Sequence, residues 1–273
     1  MSWVTAMRTA QMEPGIASKR SAFQFFSTPM KILGIDIGGS ALKGAPVDSV
    51  TGQLLGERFR IETPTVATPA AMAKHAAEIA LHFKWRGPIG LGFPGVIHGA
   101  HILTSANLHK KFIGLDGGKL FAQATKCPVT LTNDAAAAAL AEMRFGAGKN
   151  FQGKTLLLTL GTGIGSSLCY HGMVVPCEFG HLQVRGKSAE YYVSAAARKR
   201  RDMSWAKWGK ELSEYLGTLE QMLWPELIII GGGVSAKSRK FFPYLKTRAK
   251  LVPAKFLNEA GIVGAALSFN RHD

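Results

Sequence analysis

Three glycine-rich turns, each entered from an apolar run and spread over the whole chain, constrain this sequence more than any other feature. They are Leu33-Gly34-Ile35-Asp36-Ile37-Gly38-Gly39-Ser40, then Leu158-Thr159-Leu160-Gly161-Thr162-Gly163-Ile164-Gly165, then Leu227 to Ile230 running into Gly231-Gly232-Gly233. Glycine admits positive φ and lets backbone N–H groups approach a ligand with no Cβ in the way. Successive exposed N–H groups make a concave anion site, for which phosphate is the usual occupant. A single such turn says little, because glycine also closes ordinary hairpins. Three of them, on both sides of an expected cleft, point to phosphoryl transfer.

At 273 residues the chain suits two lobes of ordinary size, and 47% hydrophobic residues are ample for their cores. No run of eighteen apolar residues occurs, so no membrane-spanning helix and no membrane partner is expected. Cys127, Cys169 and Cys177 are scattered without a CxxC spacing, which argues against a disulfide framework and a zinc site and for a reducing, cytoplasmic setting. Residues 1–29 carry Arg8, Lys19 and Arg20 against Glu13, a composition shared by targeting peptides and disordered extensions. A disordered extension is the expectation, since Met30 directly precedes the first strand. Without that segment 30 basic residues face 17 acidic ones, so a net charge of +13 belongs to the folded body.

From Lys31 the pattern reads as a β-meander: Ile32 to Asp36, Ala45 to Val47, then Leu54 to Ile61. Thr68-Pro69 opens a helix to about Phe83, with threonine as N-cap and proline in the first helical position. Strands follow at Ile89–Phe93 and Val129–Thr132, and an alanine-rich helix at Ala135–Phe145 is stopped by Gly146. The second half restarts the theme with Thr155–Leu160, a glycine turn and Ser166–Tyr170. Helices around Ala189–Ala197 and Ser204–Leu223, the strand Leu227–Ile230 and a last helix near Gly261–Phe269 complete it. Strands alternating with helices indicate an α/β fold, and the repeated opening suggests two related lobes with a cleft between them.

Asp36-Ile37-Gly38-Gly39-Ser40, Asn133-Asp134, the Leu160–Gly165 turn, Glu178-Phe179-Gly180-His181 and Gly231-Gly232-Gly233 occur in the order found in the ROK family of sugar kinases, which the chain resembles over residues 30–270. Within that family it is similar to the polyphosphate glucokinases, through Gly34 to Gly39, Gly44-Ala45-Pro46-Val47-Asp48, Gly56-Glu57-Arg58-Phe59 and Asn258 to Ala265. The resemblance implies a two-lobed hexokinase–actin-like (ribonuclease H-like) fold. It places residues 30–134 in an N-terminal lobe onto which the helix 258–271 packs back, and residues 135–257 in a C-terminal lobe.

The resemblance also implies roles. Asp36 would help to hold Mg²⁺, through water, as suits a hard cation bound by few carboxylates plus phosphate. Gly38, Gly39, Ser40, Gly161, Thr162, Gly163 and Gly165 would cradle phosphates, and Gly231, Gly232 and Gly233 would flank the nucleotide if ATP is used. Asp134 would be the general base for a sugar hydroxyl; the residues alone equally allow an N-cap or first-turn helix acid. Asn107, Asn133, Glu178 and His181 would bind the sugar, with Glu190 as a further ligand or merely the first-turn acid of a helix. Many relatives carry a cysteine-rich zinc motif after the histidine; here Leu182-Gln183-Val184-Arg185-Gly186 follows, so no zinc is expected.

Lys237 to Lys255 holds seven Lys or Arg and no acid, and Arg198-Lys199-Arg200-Arg201 forms a second basic knot. Such runs are often no more than solvated faces, yet an excess of this size attracts polyanions. With no recognised DNA- or RNA-binding module, nucleic acid is not expected as a partner; polyphosphate is, at Lys246, Arg248 and Lys250. The sequence thus points to a kinase acting on the 6-hydroxyl of glucose with polyphosphate or ATP as donor, with a homodimer expected from the resemblance. Two alternatives stay open: an ATP-dependent hexokinase of broader sugar range, and a sugar-sensing or nucleic-acid-binding protein without turnover.

Overall fold

Alternation along β1 (Lys31–Ile37) decides how the layers stack. Leu33, Ile35 and Ile37 turn to one side, into a core with Met72, Ala76 and Ile79 of α1 (Pro69–His82) and Phe121 of α2 (Gly117–Thr125). Ile32 turns to the other side, into a central core. Gly34 and Asp36 share its face of the strand. On the computed structural model, residues 30–105 and 107–269 are described; the extension expected at residues 1–29 lies outside them.

Two five-stranded sheets share one topology. In the first, β1 is followed outward by antiparallel β2 (Ala41–Asp48) and β3 (Phe59–Glu62), and on its other side lie the parallel strands β4 (Ile89–Phe93) and β7 (Val129–Asn133), giving the order β3-β2-β1-β4-β7. A short hairpin, β5 (Ile97–His98) and β6 (His101–Ile102), intervenes. In the second sheet, β8 (Thr155–Leu160), β9 (Ile164–Tyr170) and β10 (Met173–Cys177) form the meander, and β13 (Leu227–Gly231) and β14 (Lys250–Pro253) the parallel side, in the order β10-β9-β8-β13-β14. A small pair, β11 (Gln183–Val184) and β12 (Lys187–Ser188), stands apart.

Between the sheets run α3 (Asp134–Arg144) and α7 (Ala260–Ser268). Their apolar residues join Ile32 and Val47 of the first sheet to Leu157 and Ile229 of the second in the central core. Contact there is backbone on backbone. A Cβ at Gly34 would overlap the carbonyl of Ile262, one at Gly90 that of Ala265, and one at Gly264 that of Ala137. The outer face of the second sheet is covered by α4 (Ala189–Val193), α5 (Ala195–Arg200) and α6 (Trp205–Leu223). Fully buried Trp208, Leu212, Leu216 and Leu219 of α6 lie in that core, each contributing about 1.5–3 kcal/mol.

Local chemistry explains the helix starts. Thr68 accepts a hydrogen bond from Ala71 N at 3.2 Å, with Pro69 as first helical residue. The expected helix over Ala189–Ala197 is instead two short helices, because Ser194 turns extended and caps the second through Ala197 N. The expected strand Leu54–Ile61 shrinks to β3, Leu54 making only an isolated bridge to Val47. Strands β10 and β14 and helix α2, capped by Asp116, were not foreseen.

Candidate active site

All three glycine turns lie at the carboxyl ends of parallel strands, the edge at which open α/β sheets bind ligands. Gly38 follows β1, Gly161 follows β8, and Gly231-Gly232 closes β13. Two cavities open between them. One, of about 230 Å³, is lined by Gly38, Gly39, Asn107, Asn133, Asp134, the Gly161–Ser166 segment, Glu178, His181 and Glu190, with Thr159 and Gly232 at its floor. The other, of about 170 Å³, is lined by Asp36, Lys43, Asp134, Glu142, Thr159, Gly231 to Gly233, Asn258 and Gly261. Asp134, Thr159 and Gly232 belong to both.

Asp36 shares the α7 face of β1, two residues beyond Gly34. Its carboxylate therefore lands on the first turn of α7, where a Cβ on Gly261 would lie 2.6–2.9 Å from it. Burial pushes its pKa up, against the opposing pull of Lys43 and Arg58. Lys43 is its cross-strand partner in the β1–β2 register.

Asp134 is the first residue of α3, and Asn133 is its N-cap: Asn133 Oδ1 accepts from Ala136 N at 2.9 Å. The capping duty thus falls on the asparagine and frees the acid for the cavities. Asp134 Oδ1 accepts from Ala135 N at 2.8 Å. Burial first, then the nearby Asp36 charge, raise its pKa to about 7, and Glu178 adds to the effect. Asn133 also donates Nδ2 to Gly95 O at 3.0 Å, which leaves one amide hydrogen for a ligand.

Glu178 and His181 bracket a single 3₁₀ turn, with carboxylate and imidazole 3.9 Å apart and both partly exposed to the cavity. Ser166 fixes that turn: its Oγ accepts from Phe179 N at 2.9 Å and donates to Cys177 O at 2.7 Å, while Tyr215 donates to Phe179 O at 2.9 Å. Burial raises the pKa of Glu178, while His181 opposes the shift and Glu190 adds to it. Glu190 is a first-turn acid of α4 and also a cavity residue, accepting from Ile164 N at 3.3 Å beside Gly163. Asn107 lies across the cavity against Gly39, its Cβ 3.6 Å from where a Cβ on that glycine would stand.

Of the glycines in the three turns only Gly232 takes a positive φ (78°). Some of the others serve close approach: a Cβ on Gly163 would strike Glu190, and one on Gly165 would sit 2.5 Å from Thr159 Oγ1. Gly161 faces open space. Ser40, at the exposed apex of the first hairpin, lines neither cavity. Lys246, Arg248 and Lys250 are not brought to the cleft. Lys250 begins β14, four residues or roughly 13 Å of extended chain before Ala254, which lines the second cavity. Arg248 donates to Pro225 O at 2.6 Å and lies over Trp224, and Glu220 and Ser213 tie this loop to α6. Thr159, Ser166, Lys43 and Glu142 also line the cavities; strand alternation places Thr159 and Lys43, whereas Ser166 and Glu142 act through contacts distant in the chain and carry no local signal.

Paired sheets of one topology, with glycine turns and acids facing a shared cleft, define a hexokinase–actin-like kinase fold. Comparison with known proteins narrows this. Residues 32–191 match the ROK family, and the chain belongs to it. The polyphosphate glucokinase of Mycobacterium tuberculosis (strain CDC 1551 / Oshkosh) is 44% identical over 261 residues, 93% of each chain. The crystal structure of the inorganic polyphosphate/ATP-glucomannokinase from Arthrobacter sp. strain KM superimposes with a TM-score of 0.85 at 42% identity, covering 87% of this chain and 97% of that one. A ROK family glucokinase from Streptomyces griseus, in complex with glucose and AMPPNP, shares the fold with a TM-score of 0.73 at 23% identity, over 87% of this chain and 98% of its own.

Proposed function

We propose that this chain transfers a phosphoryl group from inorganic polyphosphate, with ATP as a second donor, to the 6-hydroxyl of glucose. The observation that carries the reading is Asp134, a carboxylate common to both cavities whose pKa of about 7 suits a base working near neutrality. The sugar occupies the larger cavity, where Asn107, Asn133, Glu178, His181 and Glu190 offer polar contacts to its hydroxyls. Asp134 takes the proton of the attacking hydroxyl. The N–H groups of Thr162 and Gly163 in the second glycine turn receive the charge that develops on the phosphoryl oxygens.

The residues suit a Mg²⁺ ion. Asp36 is a buried acid whose carboxylate receives no hydrogen bond from the described residues, and no group of three metal-ligating side chains forms among them. A hard cation held by one carboxylate, water and phosphate oxygens fits that donor set. Asp36 would hold it, and the ion would supply charge neutralisation for the donor phosphates.

The test is glucose phosphorylation by the purified chain with Mg²⁺, with long-chain polyphosphate or ATP as donor. Asp134→Asn should cut turnover by on the order of 10²-fold or more with little change in the KM for glucose. Near-normal turnover would remove Asp134 from the base role.

A further inference from the structure

We propose that the length of a polyphosphate chain lying outside the cleft runs along a basic strip formed by Lys237, Arg239 and Lys240 with Arg198 and Lys199, centred on Trp205; this rests on the donor reading above. Two segments leave the cleft at its glycine turns. The 3₁₀ segment Gly233–Lys240 starts directly after Gly232, which lines both cavities. Helix α5 starts where Ala196 N donates to Gly161 O at 3.0 Å. The two segments converge again on one indole: the guanidinium of Arg198 lies 3.9 Å from the centre of the Trp205 ring and Lys240 Nζ 6.0 Å from it. Phe241, at the end of the 3₁₀ segment, stacks on the same ring at 6.1 Å.

Charge and exposure fit a polyanion. No acid occurs from Gly231 to Asn258 or within α5. Lys199, Lys237, Arg239 and Lys240 are exposed, and none has an ion-pair partner among the described residues. Arg198 gives one N–H to Met203 O, which leaves further guanidinium donors for phosphate oxygens. Neighbouring cations are spent inside the protein: Arg201 makes a two-point pair with Glu211, and Arg200 bonds Tyr191 O. Lys240 lies seven residues past Gly233, at most roughly 14 Å at the 3₁₀ rise because the segment kinks at Lys237. A donor with only a few phosphates ends in the cleft and cannot reach it; a long linear chain of closely spaced charges can.

The experiment compares Lys237→Gln/Arg239→Gln/Lys240→Gln with the wild-type chain, using long-chain polyphosphate and tripolyphosphate as donors over a range of salt. The ratio of kcat/KM for the long donor to that for the short one should fall by about tenfold or more, and the salt slope for the long donor should flatten by roughly two, by analogy with counterion release. Lys246→Gln/Lys250→Gln should leave the ratio within about twofold, since Lys250 opens β14 opposite Leu227, at the end of the sheet away from the glycine turns. Equal losses with both donors, an unchanged ratio, or a larger effect from the second variant would overturn the proposal. Binding of long-chain polyphosphate without turnover is measured in parallel. A wild-type chain that binds it and uses only ATP would refute the donor reading, while the variant's weaker binding would still support the strip. Loss of a single-stranded RNA oligomer from the variant as severe as its loss of polyphosphate would reassign the strip to nucleic acid and sink the proposal.

Discussion

Asp134 should cost the protein stability, and replacing it should show how much. Its folded pKa of about 7 stands above the ordinary carboxylate value of 3.8. A group raised in this way binds more protons folded than unfolded between those two pH values. Stability therefore falls as pH rises from about 4 to about 7, and the full penalty persists above that. Three pKa units correspond to about 4 kcal/mol; the side chain borders two open cavities, so about half of that is the better expectation. Asp134→Asn keeps the oxygen that accepts from Ala135 N and removes the charge. Denaturant melts at pH 5 and pH 8 should then show the variant gaining on the wild-type chain by roughly 1–2 kcal/mol more at the higher pH, even as turnover collapses. A gain independent of pH, or a loss that grows with pH, would refute the electrostatic account of this site.

Three further outcomes follow from the packing and charge around the cleft. Glu178→Gln removes a charge that raises the Asp134 pKa, so the ascending limb of the pH–rate profile should move to lower pH while the KM for glucose rises; a limb that moves up, read from kcat/KM against pH, contradicts it. Gly261→Ala would push a methyl into the Asp36 carboxylate and should lower kcat far more than the melting temperature, whereas Gly264→Ala, set against the Ala137 backbone, should destabilise by about 1–3 kcal/mol. Glu142, fully buried, accepts from Ala147 N at 2.7 Å and Phe256 N at 2.8 Å; Glu142→Ala leaves both donors unmet and should cost about 2–5 kcal/mol in a denaturant melt.

Much of the site was legible because its signals are local. Glycines after apolar runs, the Asn133-Asp134 pair ahead of an alanine-rich helix, and the Glu178–His181 turn all carry their geometry within a few residues. Glycine suggests φ freedom, yet some of those in the turns stand where a neighbour from elsewhere in the chain comes too close for a side chain, as Glu190 does at Gly163. That kind of reason needs the tertiary contact and cannot be read from the turn alone. The same holds for charge. Lys246, Arg248 and Lys250 sit in an acid-free run, but strand direction puts them at the amino ends of β13 and β14, away from the glycine turns. Direction of a parallel strand is fixed by the crossover, which spacing along the chain does not display. The break at Ser194 was missed for the opposite reason: an N-cap inside an apolar, helix-favouring stretch is a one-residue signal, and the helix pattern on either side hides it.

The position of α7 has a consequence for how the chain is made. Its residues are synthesised well after β1 and β4, yet they lie on Gly34 and Gly90 of those strands, in the first sheet, and share a core with Ile32, Ala45 and Val47. Until residue 268 has left the ribosome, that sheet has its α1 side covered and the other face open to water. Folding from the amino end leaves the α7 side of the first sheet unfinished, and the closing contacts span 175 residues from Gly90 to Ala265 and 228 from Gly34 to Ile262, a slow class of contact to form. The nascent chain therefore carries an unfinished apolar face until α7 emerges, and the step that buries it also brings Gly261 against Asp36 and completes the acidic end of the cleft.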